Sequence, residues 1–505
     1  MKAPYLTKSR YIDGLRCEKK LWLGWHQRLP YEEALPFSVL DTGNRIGVGA
    51  WALFPDGVEV SEKPYEHDAA IARTRELMDA DTPAIFEAAF EFENIRIRVD
   101  VLERLDQGWG LREVKSSTSA SEEKGHVDDA AVQLYVLKGA GVDITSVELI
   151  HVNNAYRLEE DGVAWPEMLI RRDLTLEATD RLSEVGGRVA EMFEVLDAPS
   201  APEVYATKAL CSRPWRCDYF DHCMAAKPDD WAGLLYRIHS NRLAALHSQG
   251  IESIPDIPED FQLPEKQAIA LDCIASGEIW VSDDLKDAIL RFGPPAYYMD
   301  FETTAPGIPI YVDTRPYETV PFQFSVHYMN DDGALSHTAY LAEGDRHPGR
   351  EFAEELIKAM DRTDIPVVVY NQSFELGVLD ALRQMFPDLA DGIGAIMENV
   401  VDLLPLVRDH VCHPGFITKR SLNAGTYSIK NVLPALVPSM SYANLEGVAE
   451  GGEASRVFAA IAHGAYTGRE ADDYRQQLLD YCEQDTLAMV EIQRALESLC
   501  APTKT

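Results

Sequence analysis

Apolar and polar positions alternate along one stretch in the first third of the chain. The segment Ile95 to Leu105 begins Ile-Arg-Ile-Arg-Val-Asp-Val and keeps a period of two as far as Val101. Strand-like runs also cover Ile85 to Phe92 and Trp109 to Ser116. Because successive side chains of a strand point to opposite faces, this pattern predicts a three-stranded meander. A helix and the strand Val147 to Val152 are predicted next.

The last part of the chain, from about Pro294, has a different order of elements. Strands are predicted over Tyr297 to Thr304, Phe322 to Tyr328 and Leu335 to Leu341. The continuous apolar run Pro366 to Tyr370 is typical of a strand that is buried on both faces. This order again predicts an α/β domain.

Helices complete the last part and separate it from the first. Asn371 is predicted to cap a helix that runs to Met385, and Leu478 to Leu496 is a second predicted helix. A helical pattern also covers most of residues 226–293. The sequence therefore predicts an α/β domain over 1–225, a helical linker over 226–293 and an α/β domain over 294–505.

Composition and charge limit the classes of protein to which the chain can belong. Its 505 residues suffice for two or three domains, and 46% hydrophobic with 26% charged residues is typical of a globular protein. No apolar run approaches the roughly 18 residues of a membrane span, and no signal-peptide pattern is present, so we expect a cytoplasmic protein. The net charge of −36 argues against coating nucleic acid by bulk charge. A local basic groove is still compatible with it.

Two acids end the apolar run that begins at Tyr297. Asp300 and Glu302 point to the same face of the predicted strand, with Phe301 on the other. Two carboxylates so placed repel each other and need a raised pKa or a cation, and oxygen ligands suit Mg²⁺ or Mn²⁺. The alternative is an edge strand that ends in solvated acids.

A second candidate set lies on the predicted meander. Asp100 is on its middle strand, and Glu113 and Lys115 share a face of the following strand. Two acids can hold a divalent metal, and a lysine can orient the attacking water and neutralise a phosphate. The alternative is a solvated face, since hairpins carry Glu and Lys at exposed positions.

Three cysteines follow this first α/β region. Cys211, Cys217 and Cys223 are each separated by five residues, in a loop-like segment. They can form a structural zinc site with His222 or Cys17 as the fourth ligand, or they can be unrelated structural thiols.

The first region resembles the RecB-type PD-(D/E)xK nucleases, which have a restriction-endonuclease-like fold. Asp100, Glu113-x-Lys115 and then a helix that contains Gln133 are similar to their motifs. The resemblance implies that these four residues are catalytic, and that Asp100 and Glu113 bind the metal. Many such nucleases carry a metal-binding His on an early helix, which the segment 43–53 lacks, so Glu87 is the substitute ligand candidate.

The cysteines resemble the iron–sulfur staple of the AddB and CRISPR-adaptation branches of the same superfamily. One cysteine, Cys17, precedes the nuclease core, and Cys211, Cys217 and Cys223 follow it. Four thiolates suit a 4Fe–4S cluster, which the resemblance implies here. The relatives usually space the last three by two and five residues, whereas this chain spaces them by five and five.

The last region resembles the DnaQ-like exonucleases, which have the RNase H-like fold. Their first motif, Asp-x-Glu, matches Asp300 and Glu302. Their second, Asn-x₂-Phe-Asp, matches the segment that begins at Asn371, with Glu375 in place of the Asp, and their third matches Tyr481 and Asp485. The resemblance implies that the four acids hold two metal ions and that Tyr481 positions the attacking water.

Nearly the full chain resembles a bacterial family that joins an iron–sulfur RecB-type nuclease to a DnaQ-like domain. This resemblance implies a metal-dependent nuclease with two sites, one of them a 3'–5' exonuclease site, that uses Mg²⁺ or Mn²⁺ and acts on nucleic acid, with DNA favoured over RNA. One alternative is a nucleic-acid-binding protein with one inactive site, acting in DNA repair or mobile-element defence. The other is an acidic scaffold whose motif residues are solvated. The sequence does not identify a protein partner.

Overall fold

The computed structural model describes residues 4–30, 34–442, 447–448 and 450–500. The chain divides into two compact units, each of which contains helices and strands, so the protein is mixed α/β. The first unit comprises Met1–Tyr205, Pro214–Tyr219 and Pro306–Glu318, and the second comprises Ala206–Arg213, Phe220–Ala305 and Thr319–Thr505. Residues 226–293, predicted as a linker, belong to the second unit.

The first unit contains seven α-helices and seven strands among the described residues. In chain order they are β1 (Leu6–Thr7), α1 (Lys8–Arg16), α2 (Glu18–His26), α3 (Val39–Gly49), β2 (Val58–Glu59), α4 (His67–Asp79), β3 (Ala84–Phe92), β4 (Ile95–Arg104), β5 (Trp109–Lys115), α5 (His126–Gly139), β6 (Ile144–Val152), α6 (Trp165–Met168), β7 (Leu169–Asp173) and α7 (Thr175–Asp197).

These strands form one sheet in the order β2-β3-β4-β5-β6-β7, and β1 pairs with β4. The antiparallel pairs β3–β4 and β4–β5 confirm the predicted meander, and β6 pairs parallel to β5 after α5. Ile95, Ile97 and Val99 are buried in one core cluster with apolar side chains of α5 and α7. The alternation of β4 therefore sets one face into the core and turns Asp100 toward the other face.

The second unit begins with short elements and ends with a long helix. In chain order its elements are α8 (Lys208–Ser212), α9 (Phe220–Ala225), α10 (Ser240–Ser248), α11 (Glu265–Ser276), β8 (Trp280–Val281), α12 (Leu285–Ala288), β9 (Ala296–Thr304), β10 (Val320–Met329), β11 (Leu335–Leu341), α13 (Gly349–Ala359), β12 (Val367–Val369), α14 (Gln372–Met385), α15 (Ala390–Glu398), β13 (Val400–Asp402), α16 (Leu403–His410), β14 (Val411–Cys412), α17 (Arg420–Ala424), α18 (Ile429–Leu436), α19 (Gly451–Ala462) and α20 (Gly468–Leu499).

A five-stranded sheet, in the order β11-β10-β9-β12-β13, organises the second unit. β9 pairs antiparallel with β10 and parallel with β12, so it is an inner strand and the edge-strand alternative is wrong. Phe301 packs against Phe352 of α13 on one face, with ring centroids 5.1 Å apart. On the other face the Tyr298 hydroxyl donates to Gln493 of α20 at 2.8 Å. The predicted alternation of β9 is thus confirmed, and its acids face α20.

The predicted cap at Asn371 is wrong in its mechanism. Asn371 precedes α14 with a φ of 91°, and its side chain makes no capping hydrogen bond. The carboxylate of Asp402 instead accepts hydrogen bonds from the amides of Asn371 and Gln372, at 3.0 and 3.1 Å. A charged acceptor from β13 therefore satisfies the first amides of this helix, where anions are favourable.

Within the described ranges, none of the helices combines the length and the apolar character that crossing a membrane would require.

Candidate functional site

Three of the predicted acids meet on the sheet of the second unit. One carboxylate oxygen each of Asp300, Glu302 and Asp485 lies within 4.8 Å of the other two. β9 supplies the first two at alternate positions, and α20, which crosses that face, supplies the third. Glu302 and Asp485 are buried, with 7% and 8% exposure. The fold thus gathers three acids that are far apart in sequence.

Burial and mutual repulsion raise the pKa values of these acids. Burial is the largest cause for Asp300, whose pKa is raised well above the ordinary value, with Asp485 and Glu302 adding to it. Burial and Asp485 raise the pKa of Glu302 to about 8. Burial raises the pKa of Asp485 to about 6, against the opposing effect of Tyr442 and Lys430. The cluster therefore holds protons near neutral pH unless a cation neutralises it.

Glu375 lies in the first turn of α14, next to this cluster but outside the group of three oxygens. Its side chain is buried, with 2% exposure, and its repulsion contributes to the raised pKa of Asp300. Burial raises the pKa of Glu375 itself to about 8. Its Oε2 has no hydrogen-bond partner among the described residues. A buried carboxylate oxygen without a partner is costly, so this position fits a cation ligand.

Tyr481 is buried beside Asp485, one helical turn away on α20. Burial and the Asp485 carboxylate raise the pKa of Tyr481, which keeps its hydroxyl protonated. The hydroxyl of Tyr442 donates to Asp485 Oδ1 at 2.5 Å, and the Lys430 ammonium lies 5.1 Å from the centroid of the Tyr481 ring. Sequence reasoning missed Tyr442 and Lys430, because neither belongs to a spaced motif.

The predicted residues of the first unit also come together. Lys115 donates to Glu113 Oε1 and to Asp129 Oδ2, both at 2.6 Å, and Gln133 donates to Glu113 Oε2 at 2.6 Å. The Val114 amide donates to Asp100 Oδ2 at 2.7 Å. Glu113 is 1% exposed, so the solvated-face alternative is wrong for this residue. The predicted residues instead form a buried polar network.

Lys8 completes this network and was missed from the sequence. Its ammonium group donates to Asp100 Oδ1 at 3.2 Å and to Glu113 Oε1 at 3.0 Å. Although burial alone would raise the pKa of Glu113, Lys115 and Lys8 hold it well below its ordinary value. Among the described residues, the site therefore contains three acids but only two ammonium groups, those of Lys8 and Lys115. Asp129, the third acid, was also missed from the sequence. No local pattern marks Lys8, which lies 92 residues from Asp100.

Glu87, the substitute ligand candidate, faces Asp100. Phe86 pairs with Val101 and Ala88 with Val99, which sets Glu87 opposite Asp100 in the β3–β4 ladder. Burial, and then Asp100, raise the pKa of Glu87 to about 7. Within the described ranges, Glu87, Asp100 and Glu113 do not form a group of three ligand oxygens of the kind seen in the second unit.

The four cysteines divide between the units. Cys17 and Cys217 belong to the first, and Cys211 and Cys223 to the second. Within the described part of the chain, none of the four forms a disulfide. Their binding of one 4Fe–4S cluster stays a prediction, which iron and sulfide analysis of anaerobically purified protein tests. Stoichiometric zinc without iron would contradict it.

Residues 297–421 match the model of a family described as a domain of unknown function, DUF2779. The match contains Asp300, Glu302 and Glu375 and ends before Tyr481 and Asp485. No curated protein matches the chain.

Proposed function

We propose that the chain is a metal-dependent nuclease that hydrolyses phosphodiester bonds of nucleic acid, with DNA favoured over RNA. The observation that carries this proposal is the approach of Asp300, Glu302 and Asp485, whose ligand oxygens lie within 4.8 Å of one another. Buried acids with raised pKa values are an unfavourable arrangement without a cation. An oxygen-only ligand set fits Mg²⁺ or Mn²⁺.

The residues of the cluster take distinct roles in this proposal. Asp300, Glu302 and Asp485 would hold a first ion, and the unpartnered oxygen of Glu375 supports its assignment to a second. Two such ions supply an activated water and stabilise the leaving oxygen. The protonated Tyr481 hydroxyl can orient that water, and the Lys430 ammonium can neutralise part of the phosphate charge. The Tyr442 hydrogen bond fixes the orientation of the Asp485 carboxylate.

A second function fits one observation in the first unit. The Lys8 ammonium bonds to both Asp100 and Glu113, the two acids that a PD-(D/E)xK site would use as metal ligands. This contact favours a first unit that binds nucleic acid without cutting it, as in a DNA-repair or mobile-element-defence protein with one inactive site. The second unit would then carry the hydrolysis.

The test is a cleavage assay on chelator-treated protein. Labelled single- and double-stranded DNA and RNA are incubated with Mg²⁺, with Mn²⁺ or with neither. We expect metal-dependent cleavage, with single nucleotides released if the site is an exonuclease. Asp300→Asn should lower the rate about a hundredfold or more, since metal ions supply several kcal/mol to the transition state.

Asp332→Asn is the matched control, because Asp332 is an exposed aspartate of the same unit. It should cleave at the wild-type rate. Equal cleavage by Asp300→Asn and wild type, on every substrate, would remove the second unit from the proposal. An Asp300→Asn chain that still binds the substrate but no longer cleaves it at all would favour the second function.

A further inference from the structure

A second group of ligand-type side chains lies on the α20 face of the same sheet. One ligand atom each of His327, His337 and Glu483 lies within 4.8 Å of the other two. His327 of β10 pairs with His337 of β11, and Glu483 projects from α20. His327 also pairs with Tyr298 of β9, whose hydroxyl contacts α20. The group is thus set one strand outward from the acidic cluster.

Hydroxyl groups fix one nitrogen of each imidazole. His327 Nδ1 lies 2.8 Å from the Thr486 hydroxyl, and His337 Nε2 lies 2.9 Å from the Ser325 hydroxyl. The two hydroxyls are themselves hydrogen-bonded at 2.7 Å. Metal-binding histidines have this arrangement, in which one nitrogen is held by an oxygen group and the other is left for the metal.

The second nitrogen of His337 lies on the side of Glu483. His337 Nδ1 is 3.7 Å from Glu483 Oε1, and the two imidazole rings stack with centroids 4.5 Å apart. The side chains of His337 and Glu483 are 25% and 48% exposed, so both can be reached from solvent and can adjust. His327 is buried and fixed by its strand.

We propose that His327, His337 and Glu483 bind a divalent first-row transition-metal ion of the Zn²⁺ class. Two imidazoles and one carboxylate form a ligand set that Zn²⁺ accepts, with a further position for water. Imidazole also selects against Mg²⁺, which prefers oxygen ligands only. The site therefore differs in metal preference from the acidic cluster and does not depend on the proposed nuclease activity.

An ion at this position would join β10 and β11 to α20. The same helix carries Tyr481 and Asp485, and its Cys482 lies 3.8 Å from Asp300 Oδ2. A ligand that binds only the folded state stabilises it, so Zn²⁺ would hold α20 in register against the sheet. Its role is structural.

The test counts bound ions in the chelator-treated full chain that carries Asp300→Asn. Zn²⁺ binding is followed by calorimetry, and Co²⁺ binding by its visible absorption. His337→Ala and Glu483→Gln should each lose one equivalent, and Thr486→Val should bind that equivalent about 10- to 100-fold more weakly. Glu491→Gln, a glutamate eight residues further along α20, is the control and should retain it.

The design separates this site from the others. Every chain compared carries Asp300→Asn, which removes a proposed nuclease ligand, and every chain retains the cysteines. A difference in the number of bound ions therefore does not come from either of these places. His337→Ala and Glu483→Gln change partly exposed side chains, and circular dichroism verifies that they fold. An equal number of bound ions in these two variants and in the Glu491→Gln control would overturn the proposal.

Discussion

In the first unit, buried acids are bonded to lysine ammonium groups, whereas in the second unit they face one another. Glu113 accepts from Lys8 at 3.0 Å and from Lys115 at 2.6 Å, and these charges hold its pKa well below the ordinary value. A carboxylate oxygen of Glu302 lies within 4.8 Å of one oxygen each of Asp300 and Asp485, and the pKa of Glu302 is raised to about 8. The two glutamates are similarly buried, at 1% and 7% exposure.

Burial alone therefore does not identify a metal site. A buried carboxylate that has an ammonium partner is already neutralised and needs no further cation. Among the described residues, no ammonium group lies at bonding distance from the carboxylates of Asp300, Glu302 and Asp485, and a divalent ion can relieve the repulsion between them. The second unit is therefore the stronger metal-site candidate, although both units carry predicted motifs.

The largest effect is expected for Glu375→Gln in metal-free protein. The pKa of Glu375 is about 8 when folded and lies near 4.5 when unfolded, so the folded state holds the extra proton between these values. Stability therefore falls as pH rises from about 4.5 to about 8. Glutamine removes this loss, so the variant should be more stable than wild type by on the order of 4 kcal/mol at pH 8.

Urea denaturation at pH 5 and pH 8 measures this difference, which should be small at pH 5. Glu398→Gln, on the exposed side of α15, is the control and should follow the wild type. A difference that does not grow with pH would show that Glu375 is not a buried, protonated acid beside the cluster.

Lys8→Ala should destabilise the buried polar network of the first unit. It leaves Asp100 and Glu113 with one ammonium fewer, and an uncompensated buried charge costs several kcal/mol. We expect the first unit to lose about 3 kcal/mol of its free energy of unfolding at pH 7. Mn²⁺ should restore part of the loss, because it can replace the ammonium. Denaturant midpoints with and without Mn²⁺ measure both effects.

The exposed Lys124 provides the control for this experiment. Lys124→Ala should change the free energy of unfolding by less than about 0.5 kcal/mol. If Lys8→Ala and Lys124→Ala have the same midpoint, the Lys8 contacts do not compensate the acids, and the contrast between the units is lost.

Asp300→Asn should remove the stabilisation of the second unit by Mn²⁺. An ion at 100 times its Kd stabilises the folded chain by about 2.7 kcal/mol, and most of this should disappear in the variant. Its metal-free melting temperature should equal or exceed that of wild type, because one repelling charge is gone. Thermal unfolding at increasing Mn²⁺ concentrations measures the metal-free melting temperature and the stabilisation by Mn²⁺, and Asp332→Asn is the control. Identical metal dependence in the two variants would exclude Asp300 as a ligand.

Tyr442→Phe should have the smallest effect. It removes the hydroxyl that donates to Asp485 Oδ1, so the carboxylate is less well oriented and its pKa rises further. Loss of such a supporting contact weakens metal binding about 10-fold, or about 1.4 kcal/mol. Calorimetric Mn²⁺ titration measures it, and Tyr328→Phe, whose hydroxyl contacts Arg362, is the control. Equal affinities would show that Tyr442 does not support the site.

The strands were predictable because their patterns are local. Alternation in Ile95 to Leu105 predicted β4, since one face of that strand enters the core. The continuous apolar run at Pro366 predicted β12, which pairs with β9 on one side and β13 on the other. In both cases the burial of each side chain follows from its position along the strand, so the local pattern of apolar residues is sufficient to predict the strand.

The shared face of Asp300 and Glu302 was predictable as well, because the period of a strand is two. The approach of Asp485 to these two acids depends on how the chain folds. The same is true of Lys8, which bonds to Asp100 and Glu113 although 92 and 105 residues separate them in the sequence. Charge pairing depends on distance in space, which no local period encodes. The same motif residue types therefore form a network paired with lysine ammonium groups in one unit and a repelling cluster of acids in the other.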